Sequence, residues 1–264
     1  QKYHSATKAG GLSLQSANGN WSLVGPSTIP TNQTAFPPTL SGIGRVNCIA
    51  FHPTNANIMF VGSPSGGIWR TIDGGVTWSD ISNNLSRLGV SSIAIDPNNT
   101  DVIYIGTGDK DASNAPGLGF LKTTNGGLTW AASNSGMGNR TVSEILIDPT
   151  NSNVLIAGVS GWDMYRSTNA GATWTLQGSL TASSPKDLAF KPGDPNVVYA
   201  AGRTFSRSTD NGQTWTTVTS NLPSGSVRIA IAVSANQPDW VYLLCTNSSD
   251  GLQGVYKSTD SGQN

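Results

Sequence analysis

An all-β fold is predicted, a β-propeller of four-stranded antiparallel blades, on three observations. One octapeptide recurs along the chain: "TIDGGVTW" at 71–78, "TTNGGLTW" at 123–130, "STNAGATW" at 167–174, "STDNGQTW" at 208–215 and the unfinished "STDSGQN" at 258–264. A strand–turn–strand signature precedes each copy, as in "AIDPNNTDVIYIG". The closing tryptophans at 78, 130, 174 and 215 are 52, 44 and 41 residues apart, the period of a propeller blade.

Residues 1–18 are polar and glycine-containing and read as a flexible leader. The propeller is expected over residues 19–264, incomplete at its C-terminus. Within it "GNWSLVGP" (19–26) resembles a blade's outermost strand without its preceding octapeptide, with Trp21 in the place of the closing tryptophans. Such a strand can complete a last blade and hide a sheet edge.

The second repeat shows the unit. Strand A is expected at 90–96, B at 102–107 and C at 120–124, with D starting near 129. The runs are short, apolar and β-branched, and turn residues bound them. No segment holds a useful helical period. A lone four-stranded sheet of this kind exposes two apolar faces, and stacking the sheets around an axis buries both. About five blades are covered, and the interrupted fifth octapeptide suggests a larger ring of about six to eight.

The octapeptide, called the box below, reads as the C–D hairpin. Asp73, Asn125, Asn169, Asp210 and Asp260 can accept hydrogen bonds from their own turns. The glycine two residues on supplies a backbone position with positive φ. Trp78, Trp130, Trp174 and Trp215 bury large rings. A repeated catalytic carboxylate is excluded, because two of the five acidic positions hold asparagine. Arg70, Lys122, Arg166, Arg207 and Lys257 each precede a box, and they read as a solvated outer ladder with packed stems.

Fifteen basic residues balance fifteen acidic ones, so no basic stripe points to nucleic acid. No apolar run approaches membrane-spanning length. Cys48 and Cys245 lie in apolar runs and read as buried small hydrophobes.

The boxes resemble the Asp-box of the sialidase-type (BNR, sortilin-like) propeller superfamily over residues 44–264. The run "GRVNCIAFHPTNANIMFVGSPSGGIWRTIDGGVTW" looks most like large secreted bacterial propeller proteins exported by the type IX secretion system. That resemblance implies a secreted or cell-surface location. It implies partners on the face of the B–C and D–A loops, either protein or glycan, and contact with secretion-system or outer-membrane proteins. Sialidase relatives carry an arginine-isoleucine-proline motif near the start, where this chain has "GRVNCIAF". Xyloglucan-cleaving relatives place a catalytic aspartate in a "T-D-x-G-G" segment, where this chain has "SPSGG" with Pro64 at that position. Glycoside hydrolysis ordinarily needs two carboxylates. The leading expectation is therefore a non-catalytic interaction or adhesin-like module, and the alternative is a glycoside hydrolase acting on a polysaccharide.

Candidate site residues come from the loops and the A strands. Asp109, Asp111 and Ser113 alternate in "GTGDKDASNAPGLG", a spacing that can hold Ca²⁺; no other cofactor is expected. Trp162 and Asp163 in "GVSGWDMY" could stack on a sugar and bond its hydroxyls. Aligning the A strands puts Cys48, Ser92, Glu144, Asp187 and Ala230 in one register. Glu144, the only glutamate, and Asp187 then lie near the axis as candidate acid–base groups. The same alignment puts His52 with Asp96, Asp148 and Lys191 at A–B turns, read as solvent-exposed.

Overall fold

The computed structural model describes residues 45–82, 85, 89–112, 115–161, 163–180, 185–249 and 251–264. The expectations for the leader, for 19–26 with Trp21, and for Ser113 and Trp162 lie outside them. Arg45–Asn264 forms one compact unit, and its described residues are all-β.

Five antiparallel sheets follow one another along the chain. Blade 1 is β1 (Cys48–Phe51), β2 (Met59–Gly62), β3 (Ile68–Thr71) and β4 (Ser79–Asp80). Blade 2 is β5 (Val90–Ile95), β6 (Ile103–Thr107), β7 (Phe120–Thr123) and β8 (Ala131–Ala132). Blade 3 is β9 (Val142–Ile147), β10 (Leu155–Val159), β11 (Asp163–Ser167) and β12 (Thr175–Ser179). Blade 4 is β13 (Asp187–Lys191), β14 (Asp194–Ala201), β15 (Phe205–Ser208) and β16 (Thr216–Val218). Blade 5 holds β17 (Arg228–Ser234), β18 (Gln237–Thr246) and β19 (Leu252–Ser258), three strands.

The apolar faces meet blade to blade, as the argument for stacking requires. Phe60, Ile68, Val90 and Ile105 fill the space between blades 1 and 2. Tyr104 and Phe120 of blade 2 meet Ile145 and Leu155 of blade 3. Ile156 and Met164 meet Leu188 and Val198, and Tyr199 and Phe205 meet Ile229 and Leu243. Each large side chain buried this way contributes about 1.5–3 kcal/mol. Blade spacing near the axis depends on glycine in strand B. A Cβ on Gly106 would lie 2.6 Å from Val142 Cγ1 of the next blade.

The box forms the expected hairpin turn. In blade 1, Thr77 N and Thr77 Oγ1 donate to the Asp73 carboxylate at 2.9 and 2.6 Å. In blade 2, Thr129 N donates to Asn125 Oδ1 at 2.9 Å, and the Asn125 amide donates to Thr129 Oγ1 at 2.9 Å. The threonine hydroxyl donates to an aspartate and accepts from an asparagine, so both residues close the same turn. Asn169 repeats the asparagine pattern with Thr173, and Asp210 the aspartate pattern with Thr214. Asp260 is met by Asn264, whose N donates at 3.2 Å and whose side-chain amide donates at 3.0 Å.

Three features of the box differ from expectation, the first being that Trp78 of blade 1 is 38% exposed while Trp174 is buried. Second, the fourth residue also has positive φ, including the non-glycines Ala170, Asn211 and Ser261 at 53–60°. Its N–H is bound in every blade by the A–B turn: Gly74 by Asn57 O, Gly126 by Asp101 O, Ala170 by Asn153 O, Asn211 by Asn196 O and Ser261 by Asp239 O. This places A–B turns and boxes at one end of the blades, and B–C and D–A loops at the other.

The third difference concerns four of the five cations before the boxes, which are not a solvated ladder; Lys257 is exposed as expected. Arg70 Nη1 donates to Gly126 O at 3.0 Å, Lys122 Nζ to Ala170 O at 3.0 Å, Arg166 Nε to Asn211 O at 2.9 Å and Arg207 Nε to Ser261 O at 2.8 Å. Each acceptor is the fourth box residue of the next blade. The cations therefore clasp successive blades.

The A–B turns also differ from the exposed reading. Asp96 and Asp148 are buried. Asp96 accepts from Asn98 N and from Ser152 Oγ of the next blade, and Asp148 accepts from Asn211 Nδ2 of the next blade. A carboxylate so placed replaces solvent with fixed donors.

Candidate functional site

The predicted A-strand register brings its members to the axis, where they link blades. Cys48 Sγ lies 3.9 Å from Val90 O. Ser92 Oγ accepts from Ile145 N at 3.1 Å. Asp187 Oδ2 accepts from Ile231 N at 2.7 Å. Glu144 turns to blade 2, accepting from Ser92 Oγ at 2.7 Å and from Lys110 Nζ at 3.1 Å. Glu144 and Asp187 thus engage opposite neighbours and do not share a proton.

Lys110 comes from the long B–C loop of blade 2, and its position follows from local structure. Its N–H donates to Ser91 Oγ at 2.9 Å, and that hydroxyl donates to Gly108 O at 2.8 Å. The aliphatic stem is buried, with 9% of the side chain exposed.

Asp109 and Asp111 flank Lys110 and line one depression with Lys110, Thr141, Ser143 and Lys186, about 470 Å³ in volume. Asp109 pairs with Arg45. Asp111 Oδ1 is met by Lys186 Nζ at 3.3 Å and by Arg228 Nη1. Basic side chains therefore already compensate both carboxylates. Among the described residues no group of three or more His, Cys, Asp and Glu side chains is gathered as a metal cluster.

Electrostatics distinguish the carboxylates at this mouth. Burial pushes Asp187 above the usual carboxylate range, and the nearby Lys110 and Arg228 only partly offset it. Burial also acts to raise Asp111, but the hydrogen bonds and charges of Arg228 and Lys186 outweigh it and hold the group low. One arginine, Arg228, thus acts on both. Burial and the neighbouring Glu144 charge push the Cys48 thiol up to about 12. Both cysteines are free thiols, with Cys245 buried.

Asp163 opens strand β11 of blade 3. Arg140 Nη1 binds its Oδ2 at 2.6 Å and Ser179 Oγ its Oδ1 at 2.6 Å. Pro64 sits in the β2–β3 turn, where its backbone carbonyl is 2.6 Å from a Cβ built on Gly89, so that turn packs on the next blade and presents no carboxylate. Sequence reasoning missed Lys110, Lys186 and Arg228. The only signal for them was that each is a basic residue one or two positions from an A strand end or an acidic loop residue.

No family model matches the chain. Among curated proteins, it is similar to a xyloglucanase of Hypocrea jecorina (26% identity over 232 residues, 81% of this chain and 26% of that protein). It is similar to the xyloglucanase Xgh74A of Acetivibrio thermocellus (27% over 217 residues, 67% and 26%). A probable oligoxyloglucan-reducing end-specific xyloglucanase of Neosartorya fischeri matches at 23% over 258 residues, 90% and 29%. The chain spans about a quarter of the length of these relatives. Among solved structures it resembles an ancestral GH74 enzyme (TM-score 0.62, 20% identity, 81% of this chain and 32% of that one). It also resembles the GH74 xyloglucanase of Xanthomonas campestris (0.61, 16%, 81% and 36%) and YCF48 of Cyanidioschyzon merolae (0.54, 19%, 86% and 71%). These likenesses establish a β-propeller fold, present here as a partial ring.

The expectation of a non-catalytic interaction module is corrected by these comparisons, since the curated relatives are named hydrolases. It rested on the missing carboxylate at Pro64, the absent sialidase motif and the use of this fold as a platform for loops. Pro64 lies in one turn of one blade, whereas carboxylates also stand in the blade 2 B–C loop (Asp109, Asp111) and on the innermost strands of blades 3 and 4 (Glu144, Asp187).

Proposed function

We propose that this chain belongs to a glycoside hydrolase that acts on a polysaccharide of the xyloglucan class, with Asp187 and Asp111 as its acid–base pair. The observation that carries this reading is Arg228, which binds Asp111 and whose charge also acts on Asp187, so that Asp111 is held low while burial holds Asp187 high. A carboxyl that holds its proton more tightly can pass it to a glycosidic oxygen, and one that gives its proton up more readily can stabilise the positive charge that develops at the sugar carbon. Lys110 and Glu144 then set the field at the mouth, with Lys110 opposing further elevation of Asp187. The Asp109–Asp111 loop is the sugar-facing wall of this reading. Ca²⁺ at Asp109, Asp111 and Ser113 would have to displace Arg45, Lys186 and Arg228, so this reading assigns that loop to glycan contact.

A polymeric plant glucan is met outside the cell, and this agrees with a secreted or surface-displayed Asp-box propeller exported by a type IX system. The test is release of new reducing ends from xyloglucan by the intact protein, with an α-linked glucan as control. Release from xyloglucan alone, lost in Asp187→Asn and lowered in Asp111→Asn, is expected. A folded protein that releases nothing from either polymer would sink the proposal.

A further inference from the structure

Ser91 and Ser143 occupy the same place in consecutive blades. In blade 2, Val90 and Ser92 pair with the neighbouring residues Thr107 and Gly106, and in blade 3, Val142 and Glu144 pair with Val159 and Gly158. Each serine is therefore the extra residue of a β-bulge, a device that re-aims a side chain. In blade 2 the re-aimed hydroxyl is used inside the protein, donating to Gly108 O at 2.8 Å and accepting from Lys110 N at 2.9 Å. In blade 3 no described residue bonds the Ser143 hydroxyl, although Ser143 is only 2% exposed. The loops explain the difference. The B–C loop of blade 2 runs from Thr107 to Phe120 and returns its backbone to Ser91, whereas that of blade 3 runs only from Val159 to Asp163.

Ser143 lines the depression beside Asp111 and Lys186, together with Thr141 and Ser160 of its own blade. None of these three hydroxyls is bonded by another described residue. The charges at the same place are already paired, Lys110 with Glu144 and Asp111 with Lys186 and Arg228. Both partners of Asp111 use its Oδ1, which leaves Oδ2 without a partner among the described residues. A charged ligand would have to break these pairs. A neutral hydroxyl adds to them, donating to Oδ2 while accepting from a serine or threonine, since each hydroxyl is both donor and acceptor. The volume of about 470 Å³ falls within the roughly 300–1,000 Å³ of small-molecule sites.

We propose that Thr141, Ser143 and Ser160 form a hydroxyl wall that holds one neutral sugar unit beside Asp111, with Ser143 as its buried anchor. This rests on the reading of the mouth as a glycan site and adds the residues that bind the sugar rather than react with it. A buried hydroxyl without a protein partner is a cost to the fold, and a ligand hydroxyl removes that cost on binding.

The test is calorimetric titration of the protein with a xyloglucan oligosaccharide, with an acidic oligogalacturonide as the comparison ligand. Ser143→Ala should weaken binding of the neutral oligosaccharide about tenfold, as loss of one hydrogen bond. It should melt no lower than the parent, because the hydroxyl it removes has no protein partner. Thr141→Val and Ser160→Ala should each weaken binding by a smaller factor, and in cleavage assays all three should act on KM more than on kcat. A Ser143→Ala variant that binds as tightly as the parent, or that melts lower, overturns the proposal, since its hydroxyl would then serve only solvent or the fold. Tighter binding of the acidic ligand than of the neutral one overturns it as well. Cleavage is scored separately. A parent that binds the oligosaccharide through this wall but releases no reducing ends sinks the acid–base reading and supports the wall. A parent that cleaves with an affinity indifferent to all three variants removes the wall and leaves the acid–base reading in place.

Discussion

Arg166 of blade 3 is joined to Asn211 of blade 4 by two hydrogen bonds, Nε to the main-chain oxygen at 2.9 Å and Nη2 to Oδ1 at 3.1 Å. Asn211 in turn donates to the buried Asp148 of blade 3 at 2.7 Å. The fourth box residue is thus held from its own blade and from the preceding one. That explains why a non-glycine tolerates φ of 58° there. The hydrogen bonds offset a strain of about 1–2 kcal/mol.

From this follows the first prediction. Arg166→Met keeps the apolar stem but removes both donors. It should lower stability by about 1.5–3 kcal/mol, the range for hydrogen bonds to a charged group, in a urea titration. Arg166→Lys keeps the charge but cannot span both acceptors, and should recover only part of the loss. Equal stability of all three proteins would mean that the cation is solvated, as its exposed-looking sequence context suggested.

The second prediction contrasts two tryptophans of identical sequence context. Trp174 is 3% exposed, stacks on Phe120 at 4.4 Å and donates to Ser133 O of the preceding blade. Trp78 is 38% exposed and donates only within its own box, to Gly75 O. Trp174→Ala should cost about 3–5 kcal/mol, and Trp78→Ala less than about 1 kcal/mol. Similar costs, measured by thermal unfolding, would place Trp78 under cover.

A third prediction concerns the box carboxylates. Hydrogen bonds from Thr77 hold Asp73 at about 2, and those from Ser258 and Asn264 hold Asp260 at about 2. A depressed carboxylate stabilises the fold above its unfolded value, near 4, and that contribution is lost as pH falls toward 2. Replacing Asp73 and Asp260 by Asn should therefore flatten the acid limb of the stability curve between about pH 4 and 2, because asparagine already closes the turn at 125 and 169. An unchanged acid limb would show that these turns do not contribute to acid unfolding.

The propeller was legible because its signals are periodic and local: turn residues, alternating strands and a tryptophan at a fixed place. The clasp was not, since its acceptor is a main-chain oxygen 45 to 56 residues away, and main-chain oxygens leave no mark in a sequence. The left-handed fourth position was hidden for the same reason, with Ala170, Asn211 and Ser261 carrying no glycine signal. At the axis, alignment of the A strands correctly brought Glu144 and Asp187 to adjacent strands. Their opposite engagement depends on Ser92 and on the Ile231 amide, and only packing assigns those partners. The functional reading failed where it generalised from Pro64 to the whole arc, because a carboxylate missing from one blade's loop says nothing about loops of other blades.

The last prediction separates chemistry from stability at Asp187. Burial raises this carboxyl, so the folded state binds its proton more tightly than the unfolded chain does. Such a group favours folding below its unfolded value, and that favour is lost as pH rises through the raised one. At neutral pH the ionised form is therefore a burden on the fold. Asp187→Asn removes the charge but keeps an oxygen that can accept from Ile231 N, now 2.7 Å from Oδ2. The variant should melt no lower than the parent at pH 7, and its melting temperature should vary less with pH above the unfolded carboxylate value of about 4. Polysaccharide cleavage by the same variant should be lost, since an amide cannot donate the proton that a leaving glycoside needs. Asp187→Ala should lose the amide's acceptor as well and melt lower than both. A cleaving Asp187→Asn variant with an unaltered pH profile would remove Asp187 from the chemistry and leave it as a link between blades 4 and 5.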